Sequence, residues 1–252
     1  MCLFSVMYRV FPGCPLLILS NREEFRRRPT APPRLVTREQ IGTSWLGGVD
    51  LEAGGTWLGV NQFDLVVAVT NRAKTHVPVK ARSRGLLCRD LLQCDFPDQV
   101  LKELNRQCQT QPYAGFNLLL FNRERSTIVE ALGTPKTIHL EQGIHTITNG
   151  SLNDSADPRI QRVTPELQRL AQQEWQSAAW LHAAQQICRL RTDGESAAIC
   201  LTGSDWGTVS STVIALTNDP AEARYLYAAG PPSKTHYNDY SPLLRQLLRT
   251  EK

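Results

Sequence analysis

The chain has 252 residues, of which 41% are hydrophobic and 21% charged, a balance that excludes a disordered or fibrous protein. The net charge of +4 is mild, and its densest basic run, Arg26-Arg27-Arg28, is typical of a solvated turn rather than a nucleic-acid footprint. No apolar stretch approaches the roughly 20 residues that span a bilayer, and no signal-peptide pattern is present. The seven cysteines include no CxxC pair. We therefore expect a cytoplasmic protein with reduced thiols, folded as a single domain over residues 1–252.

The N-terminus carries the most specific chemical signal. Cys2 follows the start methionine, and cysteine is small enough for methionine aminopeptidase to remove Met1. Removal would leave a thiol and a free α-amine on one residue, with reference pKa values of about 8.5 and about 7.7–8.0. The amine can then accept the thiol proton, which makes Cys2 a candidate nucleophile with its own base. The alternative is that Cys2 is a small buried hydrophobic residue of an N-terminal strand.

The first 25 residues predict a β-hairpin with its polar end near Cys2. Residues 3–10 and 16–19 are rich in strand formers, and the Pro/Gly-rich segment 11–15 predicts the turn between them. We expect the chain to leave the second strand at Asn21, beside Cys2. Residues 26–44 contain three prolines and predict a loop, and the five glycines of residues 47–59 indicate tight turns or close backbone approach.

Strands and helices alternate in blocks along the rest of the chain. Helical spacing predicts helices over residues 83–93, 98–109, 158–170, 177–190 and 241–249, with Asp157 as an N-cap. Short apolar runs predict strands over residues 57–60, 65–70, 113–121, 127–132, 197–201, 208–217 and 224–228, and two short strands within residues 137–148. Hairpins separated by helix pairs favour an α+β fold with helices outside packed sheets.

Several motifs, taken together, resemble the NRDE family, also called the TANGO2-like family. They follow the family order over nearly the whole chain and comprise Cys2, Asn21-Arg22-Glu23-Glu24-Phe25, Arg28-Pro29-Thr30, residues 50–61, Thr70-Asn71-Arg72, Ser83-Arg84-Gly85, residues 115–119, Thr148-Asn149-Gly150 and residues 207–212. The resemblance implies the N-terminal nucleophile hydrolase fold, a four-layer αββα sandwich. It also implies similarity to the branch that includes penicillin V acylase and bile salt hydrolase.

The resemblance also implies site residues. Cys2 would be the nucleophile, Arg22 the cation that stabilises its thiolate, and Asn71 and Asn149 the oxyanion donors, while Glu23 takes the place of the signature aspartate. Binding roles are predicted for Asn21, Asp50, Trp57 and Arg72.

Each of these residues has a structural alternative. Arg22 can pair with Glu23 or Glu24, and the asparagines can cap turns. Asp50 and Glu52 can hold only the backbone, and Trp57 can be plain core.

Three positions depart from the family pattern. The signature aspartate is Glu23, one methylene longer, and Val49 and Val209 stand where family members often carry arginine. The loss of two cations leaves an anionic substrate group less well held.

Three functions are weighed from the sequence. The first is a cysteine hydrolase that cleaves a linear amide or thioester through an acyl-enzyme at Cys2. The second is a non-enzymatic carrier that binds haem or lipid in the same pocket, because animal members of the family are linked to Golgi organisation, lipid handling and haem trafficking. The third is a structural protein on a retired hydrolase scaffold. We expect a small-molecule acyl-amide, acyl-thioester or haem ligand, no nucleic acid, no required cofactor and no metal site, and the oligomeric state stays open.

Overall fold

A computed structural model of the chain describes residues 2–37, 43–72, 77–95, 97–132, 135–174, 178–191 and 197–249. The described strands are β1 (Leu3–Phe11), β2 (Cys14–Phe25), β3 (Thr30–Val36), β4 (Trp45–Asp50), β5 (Leu58–Asn61), β6 (Val66–Asn71), β7 (Phe116–Phe121), β8 (Ser126–Ala131), β9 (Lys136–His139), β10 (Gly143–Ile147), β11 (Trp206–Leu216), β12 (Arg224–Ala228) and β13 (Asn238–Asp239). The described helices are α1 (Arg84–Leu91), α2 (Pro97–Thr110), α3 (Pro158–Ala171), α4 (Ala178–Arg189) and α5 (Ser241–Arg249). None of the helices in these ranges has the length and apolarity needed to cross a lipid bilayer.

The chain divides into two compact units. The first unit comprises residues 1–27 and 141–241, and the second comprises residues 28–140 and 242–252. Each unit is built on one antiparallel sheet with its own helices and its own core, so the predicted α+β class is confirmed.

The first unit contains a six-stranded sheet in the order β10-β1-β2-β11-β12-β13. Alternate side chains of a strand point to opposite faces of the sheet. The odd-numbered residues of β1 and β2, such as Leu3, Met7 and Leu17, pack with α3 and α4 in one apolar core. Helix α3 begins as predicted, with Asp157 accepting hydrogen bonds from two backbone N–H groups and proline at the first helical position.

The second unit contains a seven-stranded sheet in the order β3-β4-β5-β6-β7-β8-β9. Its core joins one face of that sheet to helices α1 and α2, which contribute apolar side chains such as Leu87, Leu91 and Leu104. Gly55 lies where the chain passes α1, and a Cβ there would come within 2.2 Å of the carbonyl carbon of Gly85. The glycine is required by this close approach.

Several predicted boundaries are wrong, for identifiable reasons. Strand β2 runs on through Phe25 because β11 pairs along its whole length, from Leu16 opposite Leu216 to Phe25 opposite Trp206. The predicted loop over residues 26–44 contains β3, a sheet-edge strand whose two adjacent prolines fall at a register shift. Strand β4 occupies the start of the glycine-rich stretch.

Two later predictions also differ from the structure. Residues 197–201 form no regular strand, and the N–H groups of Ile199 and Cys200 instead both bond the carbonyl of Leu190. The two short strands predicted within residues 137–148 exist as β9 and β10, but β9 pairs with β8 whereas β10 pairs with β1. Sequence spacing predicted these strands without their partners.

Candidate functional site

Strand pairing in the first unit brings three predicted site residues together. Leu3 pairs with Asn21, and Phe4 pairs with Ile147. Extending the first register by one residue places Cys2 opposite Arg22. On the other side of β1, Asn149 follows two residues after Ile147, in the bend that ends β10. Beyond Arg22 the register continues to Ser210 on β11. We call Asn149, Cys2, Arg22 and Ser210 the Cys2 row.

The Cys2 row lies on the sheet face opposite the helices. Leu3 belongs to the core that packs on α3 and α4, so Cys2, its neighbour in an extended strand, points the other way. Arg22 and Ser210 are buried, and Cys2 is half-buried. Cross-strand neighbours of this kind have Cβ atoms about 4.5–5.5 Å apart, close enough for their side chains to interact.

Arg22 is held near its own strand as well as near Cys2. Its Nη2 lies 3.9 Å from Glu24 Oε2, a long ion pair. Asn149, also buried, follows Thr148, whose hydroxyl donates to the carboxylate of Asp157 at the start of α3. The pairing of Arg22 with Glu24 that the sequence allowed is present, and it coexists with the position of Arg22 opposite Cys2.

Glu23 points to the helix side and is fully enclosed. Its carboxylate accepts hydrogen bonds from Arg159 Nη2 at 3.1 Å and Nη1 at 3.4 Å, and from the Thr208 hydroxyl at 3.3 Å. The Glu23 side chain is 0% exposed and that of Arg159 is 6% exposed, so this is a buried ion pair. Arg159 also donates to the carbonyls of Ala198 and Ile199.

The electrostatic surroundings of Cys2 do not produce a thiolate by themselves. Burial, and after it the Glu23 carboxylate, raise the pKa of the Cys2 thiol. Three groups lower it: first the N-terminal ammonium of the chain, then the backbone N–H of Glu23, which bonds the sulfur, and the Arg22 guanidinium. Burial likewise raises the pKa of the Glu23 carboxyl, against the charge and hydrogen bonds of Arg159. A thiol in this setting needs a base to become a nucleophile.

Asn21, predicted to bind a ligand, is fully buried on the helix side of β2. Its Nδ2 donates to the carbonyls of Cys188, near the end of α4, and of Ile199, both at 2.9 Å. The side chain ties β2 to the end of α4, and its ligand-binding role stays a prediction.

The remaining predicted residues belong to the second unit. Asp50 accepts hydrogen bonds from Arg28 and from the N–H groups of Glu52 and Ala53, which close the turn after β4. Trp57 is buried, with its ring close to Gly48. Arg72 donates to Asn117 at 2.9 Å and pairs with Glu130 at 3.3 Å, both partners lying in the sheet. These contacts suit a scaffold role for Asp50 and Arg72.

Asn71, the second predicted oxyanion donor, ends strand β6, and it is exposed. A cavity of about 740 Å³ between α1 and α2 contains none of the predicted site residues, and polar groups such as Arg89, Gln99 and Lys102 line it. Within the described ranges, no cluster of three or more His, Cys, Asp or Glu side chains is arranged to hold a metal ion.

Sequence reasoning missed three residues of the site. The apolar spacing of α3 does not mark Arg159, although this residue directly follows the Asp157-Pro158 helix start. Thr208 and Ser210 fall within the family motif of residues 207–212, which assigns neither of them a role. Their roles depend on a β-bulge between them, where β11 changes register against β2, so that Thr208 opposes Glu23 and Ser210 opposes Arg22. Pairing partners of this kind are not readable from one strand.

Comparison with known sequences agrees with these motifs. The sequence model of the family described as Transport and Golgi organisation 2 matches residues 1–226. The Transport and Golgi organization 2 homolog of Mus musculus is 30% identical over 146 residues, 54% of this chain and 51% of that protein. The Homo sapiens homolog is 32% identical over 108 residues, 41% of this chain and 37% of that protein. The chain thus spans about half or less of the length of these relatives.

Solved structures share the fold at low identity. An N-acylethanolamine-hydrolyzing acid amidase ortholog from Caenorhabditis elegans aligns over 85% of this chain and 92% of its own, with a TM-score of 0.56 and 12% identity. Penicillin V acylase from Agrobacterium tumefaciens aligns over 96% and 86%, with a TM-score of 0.55 and 13% identity. A variant of conjugated bile acid hydrolase from Clostridium perfringens aligns over 96% and 93%, with a TM-score of 0.57 and 11% identity. The predicted N-terminal nucleophile hydrolase fold is confirmed.

Proposed function

The chain belongs to the Transport and Golgi organisation 2 family, and from this premise we propose that it is a cysteine hydrolase that cleaves a linear amide or thioester with Cys2 as nucleophile. The observation that carries the proposal is the Cys2 row. Strands β1, β2 and β11 bring a thiol, a guanidinium and a hydroxyl to the start of β1, and the bend after β10 carries the carboxamide of Asn149. These are the group types that acyl transfer through a thiolate requires.

The proposed nucleophile is activated by removal of Met1. The environment of Cys2 raises the thiol pKa, so a base must take the proton. Removal of Met1 leaves the α-amine of Cys2 as that base, because its reference pKa of about 7.7–8.0 keeps part of it neutral near pH 7. The thiol proton moves to the amine, and the Arg22 guanidinium, which always stays charged, favours the thiolate.

The proposed reaction proceeds through an acyl-enzyme. The Cys2 sulfur forms a bond to the substrate carbonyl carbon, and the carbonyl oxygen becomes an oxyanion that the Asn149 side-chain amide stabilises. The carbon–nitrogen or carbon–sulfur bond then breaks, and the leaving group takes the proton held by the α-amine. Water attacks the thioester and gives its proton back through the amine, which releases the acid and restores the thiol. The oxyanion role of Asn71, which belongs to the second unit, stays a prediction of the family resemblance.

The proposed substrate carries an apolar rather than an anionic group. Val49 and Val209 stand where family members often carry arginine. Val209 is half-buried in β11 of the first unit, whereas Val49 packs in the core of the second unit and is not assigned to the substrate site. The names of the three solved structures describe an amidase, an acylase and a bile acid hydrolase, and each of these acts on its own substrate. An acyl-amide or acyl-thioester fits the chemistry of the Cys2 row, since a thiolate attacks both carbonyl types.

The test combines intact mass with thiol labelling. We expect purified protein to lack Met1 and to react with limiting iodoacetamide at Cys2 before the half-buried Cys108, whose pKa burial also raises. Wild type, Cys2→Ser and the control Cys108→Ser are then screened on acyl-amides and acyl-thioesters. Cys2→Ser is expected to lose turnover and Cys108→Ser to keep it. Retained Met1, or turnover that survives Cys2→Ser, contradicts the proposal and favours the haem or lipid carrier.

A further inference from the structure

We propose that Arg159 is a positioning residue for the nucleophile, which holds Glu23 as a carboxylate beside the start of β1 and so sets the proton affinity of Cys2. This inference rests on the proposed function. Arg159 reaches Glu23 from the first turn of α3, and nothing in the sequence pattern marked it as part of the site.

Arg159 and Thr208 hold the Glu23 carboxylate in a directional clamp. Arg159 approaches one side of the carboxylate with both terminal nitrogens, and Thr208 donates to Oε1. The Nε and Nη2 groups of Arg159 also donate to the carbonyls of Ala198 and Ile199, so the guanidinium itself is fixed. A planar guanidinium held by four acceptors has one orientation, and the carboxylate that it grips therefore has one position.

The charge of Arg159 determines the state of Glu23. An arginine does not lose its proton in a protein, and a buried guanidinium needs an anionic partner. Glu23 supplies the carboxylate in direct contact with Arg159. Without Arg159, burial would leave Glu23 neutral.

The start of α3 links the clamp to the other side of the Cys2 row. Asp157 caps the helix by accepting from the backbone N–H of Arg159 at 2.8 Å, and the same carboxylate accepts from the hydroxyl of Thr148. Thr148 directly precedes Asn149. The N-terminus of α3 thus holds both the Glu23 carboxylate of β2 and the segment that follows β10, and these two strands flank β1.

The length of the Glu23 side chain suits this arrangement. Its backbone N–H bonds the Cys2 sulfur while its carboxylate reaches Arg159 on the helix side. The aspartate of the family signature is shorter by one methylene, about 1.5 Å, and would withdraw the carboxylate from Arg159. The departure from the signature therefore lets one residue contact both the thiol and α3.

The charged groups around Cys2 and Glu23 determine in which direction the Glu23 charge moves the pKa of the Cys2 thiol. Strand β1 contributes the thiol, β2 contributes Arg22, α3 contributes Arg159, and β11 contributes the uncharged Thr208. The N-terminal ammonium of the chain lowers the pKa of both Cys2 and Glu23 and is the same in every variant compared. A carboxylate at Glu23 makes the thiolate harder to form, so loss of that charge makes Cys2 ionise at lower pH. Arg159 acts on Cys2 through this carboxylate.

The experiment measures the rate of iodoacetamide labelling at Cys2 against pH, by peptide mass, in wild type, Glu23→Gln, Arg159→Met, Arg159→Lys and the double variant Glu23→Gln/Arg159→Met. We expect labelling at neutral pH to rise roughly tenfold in Glu23→Gln and in Arg159→Met, because both remove the carboxylate charge. The double variant is expected to superimpose on Glu23→Gln. Arg159→Lys keeps a cation near Glu23 without the planar fork, so its curve is expected to lie closer to wild type than to Arg159→Met.

Two outcomes overturn the inference. An Arg159→Met curve equal to wild type means that Arg159 only supports the fold, and a further shift in the double variant means that it acts without Glu23. If Arg159→Met does not fold, the double variant and Arg159→Lys decide, and a departure of either from its expected curve rejects the role. Labelling needs no substrate, so a wild type that labels normally and turns over no amide contradicts the proposed function alone.

Discussion

Each compact unit contains a buried asparagine that ties a helix end to its sheet. Asn61, at the end of β5, donates to the carbonyls of Leu92 and Cys94, just past α1. Asn21, in β2, donates to the carbonyls of Cys188 and Ile199. Both side chains are fully buried, and in each the amide nitrogen donates to carbonyls near a helix end that have no partner within the helix.

The two asparagines differ at their oxygen atoms. Asn61 Oδ1 accepts from the N–H groups of Phe63 and Leu65 and closes its own turn. Among the described residues, no hydrogen-bond donor reaches Asn21 Oδ1. A buried acceptor without a donor costs stability, and such groups are rare in proteins. All the hydrogen-bonding groups of Asn61 in the second unit thus have partners, whereas Asn21 Oδ1 in the first unit has no donor among the described residues.

The ion pairs of the two units differ in the same way. Arg28 and Asp50 are partly open to solvent, with side chains 25% and 10% exposed. Arg159 and Glu23 are almost wholly enclosed. A partly exposed pair contributes little because water screens it, while a buried pair is costly to break because the remaining charge has no solvent.

The largest expected difference comes from breaking each ion pair. Arg159→Met removes the cation and its hydrogen bonds from the buried Glu23 carboxyl, which then has to bind a proton, and is expected to cost about 3–5 kcal/mol of unfolding free energy near neutral pH. Arg28→Met exposes Asp50 to water and is expected to cost about 1 kcal/mol or less. Urea denaturation of both variants measures the difference. Equal losses would mean that burial does not separate the two pairs.

The next effect comes from the asparagines. Asn61→Ala removes four hydrogen bonds and is expected to cost about 3 kcal/mol, while Asn21→Ala removes two and relieves an unpaired oxygen, at about 1–2 kcal/mol. Thermal unfolding of both variants, with wild type as reference, ranks them. A larger loss for Asn21→Ala would contradict the comparison.

The smallest expected effect is on the pH dependence of stability, which should have opposite signs for Glu23 and Asp50. Burial raises the pKa of Glu23 in the folded protein. The stability that Glu23 contributes is therefore fully present below its pKa in the unfolded chain, about 4.3, and is lost as the pH rises through its pKa in the folded protein. Burial alone would raise the Asp50 pKa, but hydrogen bonds and the charge of Arg28 lower it overall. Its contribution is present above the unfolded value of about 3.9 and is lost as pH falls through the native pKa.

Denaturation between about pH 3 and pH 8 tests these signs with Glu23→Gln and Asp50→Asn. The stability difference between wild type and Glu23→Gln is expected to fall as pH rises. The difference between wild type and Asp50→Asn is expected to fall as pH drops below about 4. Slopes of the same sign would refute the contrast between the two pairs.

The sequence predicted what depends on local pattern. Amphipathic spacing located the helices, and the Asp157-Pro158 start of α3 is confirmed. The family motifs predicted the fold and named Cys2, Arg22 and Asn149 as site residues, whose roles stay predictions. Arg159 and Thr208 were not predicted, because both act by contacting Glu23, which lies 136 and 185 positions away along the chain. Long-range pairing and the bulge in β11 are set by the assembled sheet, which no local pattern encodes.

The bulge in β11 also explains how this chain tolerates valine where relatives often carry arginine. Val209 lies between Thr208 and Ser210, outside the pairing with β2, and has no cross-strand partner there. A side chain at such a position is free to vary without disturbing the ladder on either side. The bulge therefore gives this chain one position beside Arg22 whose side chain can change without altering the pairing of β2 with β11.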